Sequence, residues 1–212
     1  MEDLKVLCNN NSLAISDFDC FKNITLHSNQ KLAWLKDSVV SAYCNMVHRS
    51  CNNKNFIMNP LWYEDLRSRQ KLDSCSIDEL LLKQKTINYD ILHRDNVFFP
   101  IVLDNQHWLL LRACHINATI TIYDSLLHQH NNNKIDNLSK IAKKVGDFLC
   151  ATQKLFLSKK NSNSNSIQLI SKWEIKYCYD AVLQNNDCDC GLHVLTNLVF
   201  LVSGKLISGN DS

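Results

Sequence analysis

The chain has 212 residues, 45% of them apolar, and a net charge of +2. That is enough apolar material for a substantial core in one globular domain, which excludes a disordered chain, and too little positive charge to mark a nucleic-acid binder. No apolar run reaches the length of a membrane span, and Met1-Glu2-Asp3-Leu4-Lys5 lacks the basic-then-apolar pattern of a secretory signal. Ten cysteines without a Cys-x-x-Cys, in a chain too large to need disulfides, read as reduced thiols of a cytosolic or nuclear protein. A secreted form with five bridges is the alternative. With only four Gly and two Pro, turns must lean on Asn, Asp and Ser.

Residues 1–30 show no clear period and are expected to form a loose arm, with Ile15, Phe18 and Phe21 available to dock on the core. Residues 31–212 then read as one domain. Val39, Val40, Tyr43 and Val47 recur at helical spacing, with Asp37 or Ser38 as cap and Trp34 just before. Phe56 to Pro60 looks extended, and Leu61 to Gln70 reads as a short helix. Ser76-Ile77-Asp78-Glu79 has the form of a capping box for a helix running to about Lys85. Three strands follow: Val97–Leu103, whose Pro100 requires a bulge or a nearby edge, then His107–Ala113, then Ala118–Asp124. Their short connections imply antiparallel neighbours. Ile135 to Cys150 is amphipathic with helical period. The Asn/Ser run 161–166 is low in complexity and predicts a mobile insertion near 158–170. Trp173–Cys178 is a further strand, and a helix runs from Gly191 to about Val202. Helices, then sheet, then helix give an α+β class with a central mixed or antiparallel sheet.

The chemistry gathers around Gln184-Asn185-Asn186-Asp187-Cys188-Asp189-Cys190-Gly191-Leu192-His193. This stretch is polar and turn-rich on its left and apolar and helical on its right, so Cys190 falls at a helix N-terminus. There the unpaired N–H groups and the helix dipole favour a thiolate nucleophile. His107 opens one strand and Asp124, seventeen positions on, ends the next. If the two strands form a hairpin, both residues reach the same rim of the sheet, and the carboxylate orients the imidazole toward a thiol. Gln184, six positions before Cys190, offers an amide donor to a developing oxyanion. Such a triad needs neither cofactor nor metal.

This order of motifs, His107-Trp108, Asp124, and Gln184 ahead of Asp189-Cys190-Gly191, resembles the ubiquitin-like-protein protease family. That group includes the SUMO- and NEDD8-specific cysteine proteases and, more distantly, adenovirus proteinase. Trp34-Leu35-Lys36-Asp37 is similar to the family's Trp-Leu-Asn-Asp stretch. The resemblance, which covers about Trp34 to Val202, implies a papain-like arrangement. It implies Cys190 as nucleophile, His107 as general base and then acid, Asp124 as orienter and Gln184 as oxyanion donor. Trp34 and Trp108 would wall a narrow tunnel for a Gly-Gly tail, and Asp37 would pair with a basic residue of that tail. The implied partners are conjugates of ubiquitin or a ubiquitin-like protein, met by a monomer. Lys36 in place of Asn, the long segment between Asp124 and Gln184, Cys188 beside the nucleophile and the short run after the last helix depart from the family's pattern. These departures suit a divergent effector-like member acting in a host cytosol. They favour ubiquitin over SUMO, because an arginine near ubiquitin's tail end would pair with Asp37.

Other readings of the same residues stay in view. A transferase could use the same triad to move an acetyl group from acetyl-CoA, with Lys143, Lys144, Lys159 and Lys160 for the phosphates, though these read more simply as solvated charge. A silent binding module is the third option. Cys188, Cys190 and His193 lack a fourth metal ligand at usual spacing. His193 reads as a surface or packed helix residue, His128 and His130 as solvated loop histidines, and Cys114, Cys150 and Cys178 as buried, inert thiols.

Overall fold

The structure, a computed structural model, describes residues 6–8, 11–13, 34–83, 87–104, 106–159, 167 and 169–204. Ile15, Phe18 and Phe21 of the arm and the Asn/Ser run 161–166 lie outside the described residues. Within the arm, β1 (Val6–Cys8) and β2 (Asn11–Leu13) pair antiparallel.

The centre is a five-stranded sheet in the order β3-β4-β5-β6-β7. β4 (Asn96–Leu103), β5 (His107–Cys114) and β6 (Thr119–Tyr123) form the antiparallel meander that the short connections imply. β3 (Asn55–Ile57) adds to β4, and β7 (Glu174–Tyr177) adds to β6, both in parallel. The sheet is therefore mixed. Pro100 sits in an unbroken β4–β5 register, so no bulge accommodates it. β3 pairs only as far as Ile57 with Phe98, whose carbonyl accepts from the Met58 N–H. Pro100, two residues on, faces the side where β3 has ended, and its missing N–H costs no ladder bond. Ala118, expected to open β6, has φ of 51° and belongs to the turn.

Helices cover both faces: α1 (Asp37–Ser50), α2 (Trp62–Ser68), α3 (Ser74–Lys83), α4 (Asn132–Lys159) and α5 (Cys190–Val202). Residues 87–93 and 127–129 form 3₁₀ turns. Neither Asp37 nor Ser38 caps α1, because Lys36 holds the cap position with extended backbone and no side-chain bond. The cap of α3 lies upstream of the expected box: Asp73 Oδ1 accepts the Ser76 N–H at 2.8 Å and its hydroxyl at 2.6 Å. α4 outruns its expected bounds at both ends. Asn131 accepts the Lys134 N–H, and buried Gln153 and Phe156 carry the inner face past Cys150. This long helix is the crossover that a parallel β6–β7 pair requires.

Alternation along the strands sorts the core. Val97, Phe99, Ile101, Leu109, Leu111 and Ala113 face α2, α3 and α4. Phe98, Val102, Trp108 and Leu110 face α1 and α5, where they meet Leu35, Val40, Cys190, Val194 and Leu198. The second, smaller core includes Cys190 itself.

Candidate active site

β5 starts at His107, and the register sets Leu110 opposite Tyr123, so Asp124 leaves the sheet at the rim where His107 enters it. His107 Nε2 and Asp124 Oδ1 are 2.7 Å apart. This spends one ring nitrogen on the carboxylate and leaves Nδ1 for the thiol of Cys190, which is near enough to raise the pKa of the ring. Burial works to lower the His107 pKa. The hydrogen bonds to Asp124 and Cys190, and their charges, outweigh it, and the imidazole is pushed up to about 9. Burial works to raise Asp124, but the His107 hydrogen bond and charge, the Leu126 N–H and His130 hold its carboxyl below the usual range.

The structure corrects one expectation here. His130 is not solvated: its side chain is only 7% exposed, and its Nε2 lies 2.8 Å from Asp124 Oδ2. The 3₁₀ turn Leu127–Gln129 folds it back over the carboxylate. Asp124 has no exposure at all, and its two oxygens are held by two imidazoles and a backbone N–H. His107, Asp124 and His130 are the described residues whose ligand atoms lie close enough to hold a cation. Each Nε2 is already bonded to its own carboxylate oxygen, so a cation would have to break both bonds. Cys188, Cys190 and His193 form no such group among the described residues.

Cys190 is the first residue of α5 and is 2% exposed. The first-turn N–H groups of that helix lack intrahelical acceptors, so they favour negative charge at the sulfur or at an oxygen bound to the carbon it attacks. Gln184, also buried, lies in the preceding loop. Its Oε1 accepts the Ser125 hydroxyl at 2.6 Å, and its Nε2 donates to the Asn186 carbonyl at 2.6 Å. Ser125 thereby fixes which way the amide points, and one N–H of Nε2 is left over for a further acceptor. Asn186 organises the turn into Cys190: its Oδ1 accepts the N–H groups of Cys188 and Asp189, and its Nδ2 donates to Asp189 Oδ2. Cys188 is half-buried in this turn, and burial with the neighbouring Asp189 charge pushes its thiol up. Ser125, His130 and Asn186 are the positioning residues that sequence reasoning missed. Only Ser125, next to Asp124, sat at a position that could have suggested a role.

The segment that precedes α1 completes the site. The half-buried Trp34 donates its indole N–H to the Asp187 carbonyl at 2.8 Å. Trp108 is 3% exposed and donates to the Leu35 carbonyl at 3.3 Å. Its indole packs in the core beneath the site, while Trp34 is half-exposed. A Cβ at Gly191 would stand 3.0 Å from two carbons of Leu35, so only glycine lets α5 approach this segment so closely. Asp37, half-buried in the first turn of α1, has its carboxyl raised by burial and by the Glu64 charge. His128 is exposed and packs on Tyr179, as a loop histidine should. Cys114 is buried, while Cys150 and Cys178 are only half-buried. Cys44, Cys51, Cys75, Cys114, Cys150, Cys178, Cys188 and Cys190 are all free.

Comparison with known proteins accords with this geometry. Residues 33–211 match the Ulp1 protease family, C-terminal catalytic domain. Sentrin-specific protease 3 of mouse and of human are each 26% identical over 162 residues, 76% of this chain and 24% of theirs, so the chain spans about a quarter of the length of these curated relatives. Among solved structures, the SUMO protease Ulp1 with its catalytic cysteine oxidised to a sulfenic acid superposes with a TM-score of 0.68 at 20% identity, covering 94% of this chain and 76% of that one. The Ulp1 protease domain in complex with Smt3, the yeast ortholog of SUMO, gives 0.66 at 21% identity, covering 98% and 80%. The Xanthomonas campestris effector XopD bound to ubiquitin gives 0.50 at 19% identity, covering 80% and 74%. With the family match running across nearly the whole chain, and His107, Asp124 and Cys190 converging at one rim of the sheet, this chain belongs to the Ulp1 protease family.

Proposed function

We propose that this chain is a cysteine isopeptidase domain that cleaves after the C-terminal Gly-Gly of a ubiquitin-like modifier. The observation that carries the reading is the relay from Asp124 through His107 to a thiol at a helix N-terminus. The Cys190 thiolate adds to the carbonyl carbon of the modifier's last glycine, and the oxyanion takes the spare N–H of Gln184 and a first-turn N–H of α5. His107 gives its proton to the leaving lysine amine as the C–N bond breaks. Water, deprotonated by His107, then hydrolyses the thioester and returns the thiol. Family membership and the names of the sentrin-specific and SUMO-protease relatives support a SUMO-type modifier. One observation favours ubiquitin: Asp37 is a half-buried carboxylate with no hydrogen bond or ion pair among the described residues, and an arginine of an incoming tail would give it one. The free thiols support a reducing compartment, cytosolic or nuclear.

The test is a panel of C-terminal electrophile probes built on SUMO, NEDD8 and ubiquitin. The SUMO probe is expected to label Cys190 fastest, and faster labelling by ubiquitin would move the modifier assignment to the Asp37 reading. Cys190→Ala should abolish turnover of a fluorogenic modifier substrate and preserve binding, whereas Cys188→Ala should keep turnover within about threefold, since its pKa is raised and it lies off the relay. Turnover by Cys190→Ala and none by Cys188→Ala would reverse the nucleophile assignment. Labelling of Cys190 by acetyl-CoA would instead favour the transferase.

A further inference from the structure

A groove of about 600 Å³ opens beside the catalytic histidine, on the side away from the tail-binding segment. His107 and His130 form its inner end, and Trp34, Asp37 and Trp108 take no part in its lining. Its floor is apolar, with Tyr63, Leu103, Leu138 and Ile141, and its rim is cationic, with Arg67, Lys134, Lys140 and Lys144. Asp104 is the one carboxylate that lines it, and Arg67 pairs with that residue and with Glu64. Lys144 donates to the backbone carbonyls of Arg67 and Arg69 and so joins α4 to the end of α2. Lys134 and Lys140 are exposed and have no carboxylate partner among the described residues. A second depression of about 460 Å³ adjoins it along α4, with Lys140, Lys143 and Lys144, the carboxylate of Asp147, and Arg69, which pairs with Glu79. The whole chain carries a net charge of only +2, so this positive charge is concentrated rather than general.

In the proposed reaction His107 hands a proton to the leaving amine, and the same residue lines this groove, so a segment flanking that amine has the groove within reach. We infer that the groove is a docking site for an acidic segment of the conjugated protein, next to the lysine that bears the modifier. This rests on the isopeptidase reading and adds a preference on the leaving-group side, set by Lys134 and Lys140. Charge complementarity names the occupant: an apolar floor under a cationic rim fits an extended acidic segment with one or two apolar side chains, and it repels a basic one.

The experiment compares four substrates of the same modifier: isopeptide conjugates to an acidic, a neutral and a basic lysine-containing peptide, and a C-terminal aminomethylcoumarin that has no peptide leaving group. The acidic conjugate should be cleaved about tenfold faster than the basic one at low salt, with the difference shrinking at high salt. K134E/K140E should reverse that order and leave coumarin hydrolysis within twofold. Equal cleavage of the three conjugates, or a variant that slows the coumarin substrate as much as the acidic conjugate, would overturn the proposal. Fluorescence anisotropy of the acidic peptide alone, on the unsubstituted chain and on K134E/K140E, tests the groove even if no substrate is turned over. Binding that is lost in the variant supports the groove, and binding that is absent or unchanged refutes it. Failure of coumarin hydrolysis by the unsubstituted chain would count against the isopeptidase reading alone.

Discussion

Asp124 has lost all contact with water, and three donors replace it: the rings of His107 and His130 and the Leu126 N–H. A buried carboxylate oxygen stripped of its partner costs about 1–3 kcal/mol. His130→Ala should therefore lower kcat/KM roughly tenfold, and His130→Gln, which restores an N–H near the same place, should recover most of it. The pH profile separates this from a general loss of packing. His107 titrates at about 9, held up against burial by Asp124 and Cys190, so activity that needs its charged form should fall as pH rises through about 9. Asp124 stays ionised in this range, and with one donor fewer its charge acts more fully on His107, so in His130→Ala that alkaline limb should move to higher pH. An unmoved limb would reduce His130 to a packing residue. The same shift has a stability sign. A histidine whose folded pKa is raised contributes stability that is fully present below about 6.5, and loses it as pH passes through 9. Urea midpoints of the chain and of His107→Gln should therefore converge at high pH.

At the scale of elements, α5 carries Cys190 and Gly191 sets how near it comes to the Leu35 segment. Gly191→Ala forces Leu35 aside, with an overpacking cost of about 1–3 kcal/mol. Because the Leu35 carbonyl takes the Trp108 indole N–H, the damage should reach the tail-binding side as well. The expected outcome is a higher KM for the modifier substrate together with a lowered melting temperature; a lowered melting temperature with unchanged KM would confine the effect to packing. The element pattern was largely legible in the sequence. Apolar and β-branched runs of strand length placed β4, β5 and β6, and the loop-to-apolar junction placed the start of α5 to within a residue. Caps were less legible: Ser76 to Glu79 has the form of a capping box, yet Asp73 competes for the same N–H groups and wins three residues earlier. His130 was invisible for a different reason. It sits in a polar, Asn-rich stretch, and only a 3₁₀ turn formed in the tertiary structure brings it onto Asp124. The orientation of Trp108 was not legible, because a residue beside His107 can face either side of its strand, and here the pleat turns it into the core.

The molecule as a whole keeps two cores on two faces of one sheet, and only one of them touches the site. Matched substitutions should separate them. Val145→Ala, in the core beneath α4, and Val194→Ala, one turn after Cys190, should each cost about 2 kcal/mol in urea unfolding. Only Val194→Ala should also slow labelling of Cys190 by a modifier probe under conditions where both variants are folded. Equal labelling rates would mean that the nucleophile's position does not depend on the core beneath it.

The placement of Cys190 bears on the order in which a ribosome builds this chain. Trp34, His107, Asp124 and Gln184 all precede it, as does every strand of the sheet. α5 must emerge and slide in over Phe98, Val102 and Leu110 before the thiol meets its imidazole. Between the emergence of His107 and that of Cys190, a growing chain therefore holds the imidazole without the thiol. The relay proposed above is assembled only when α5 docks on the sheet.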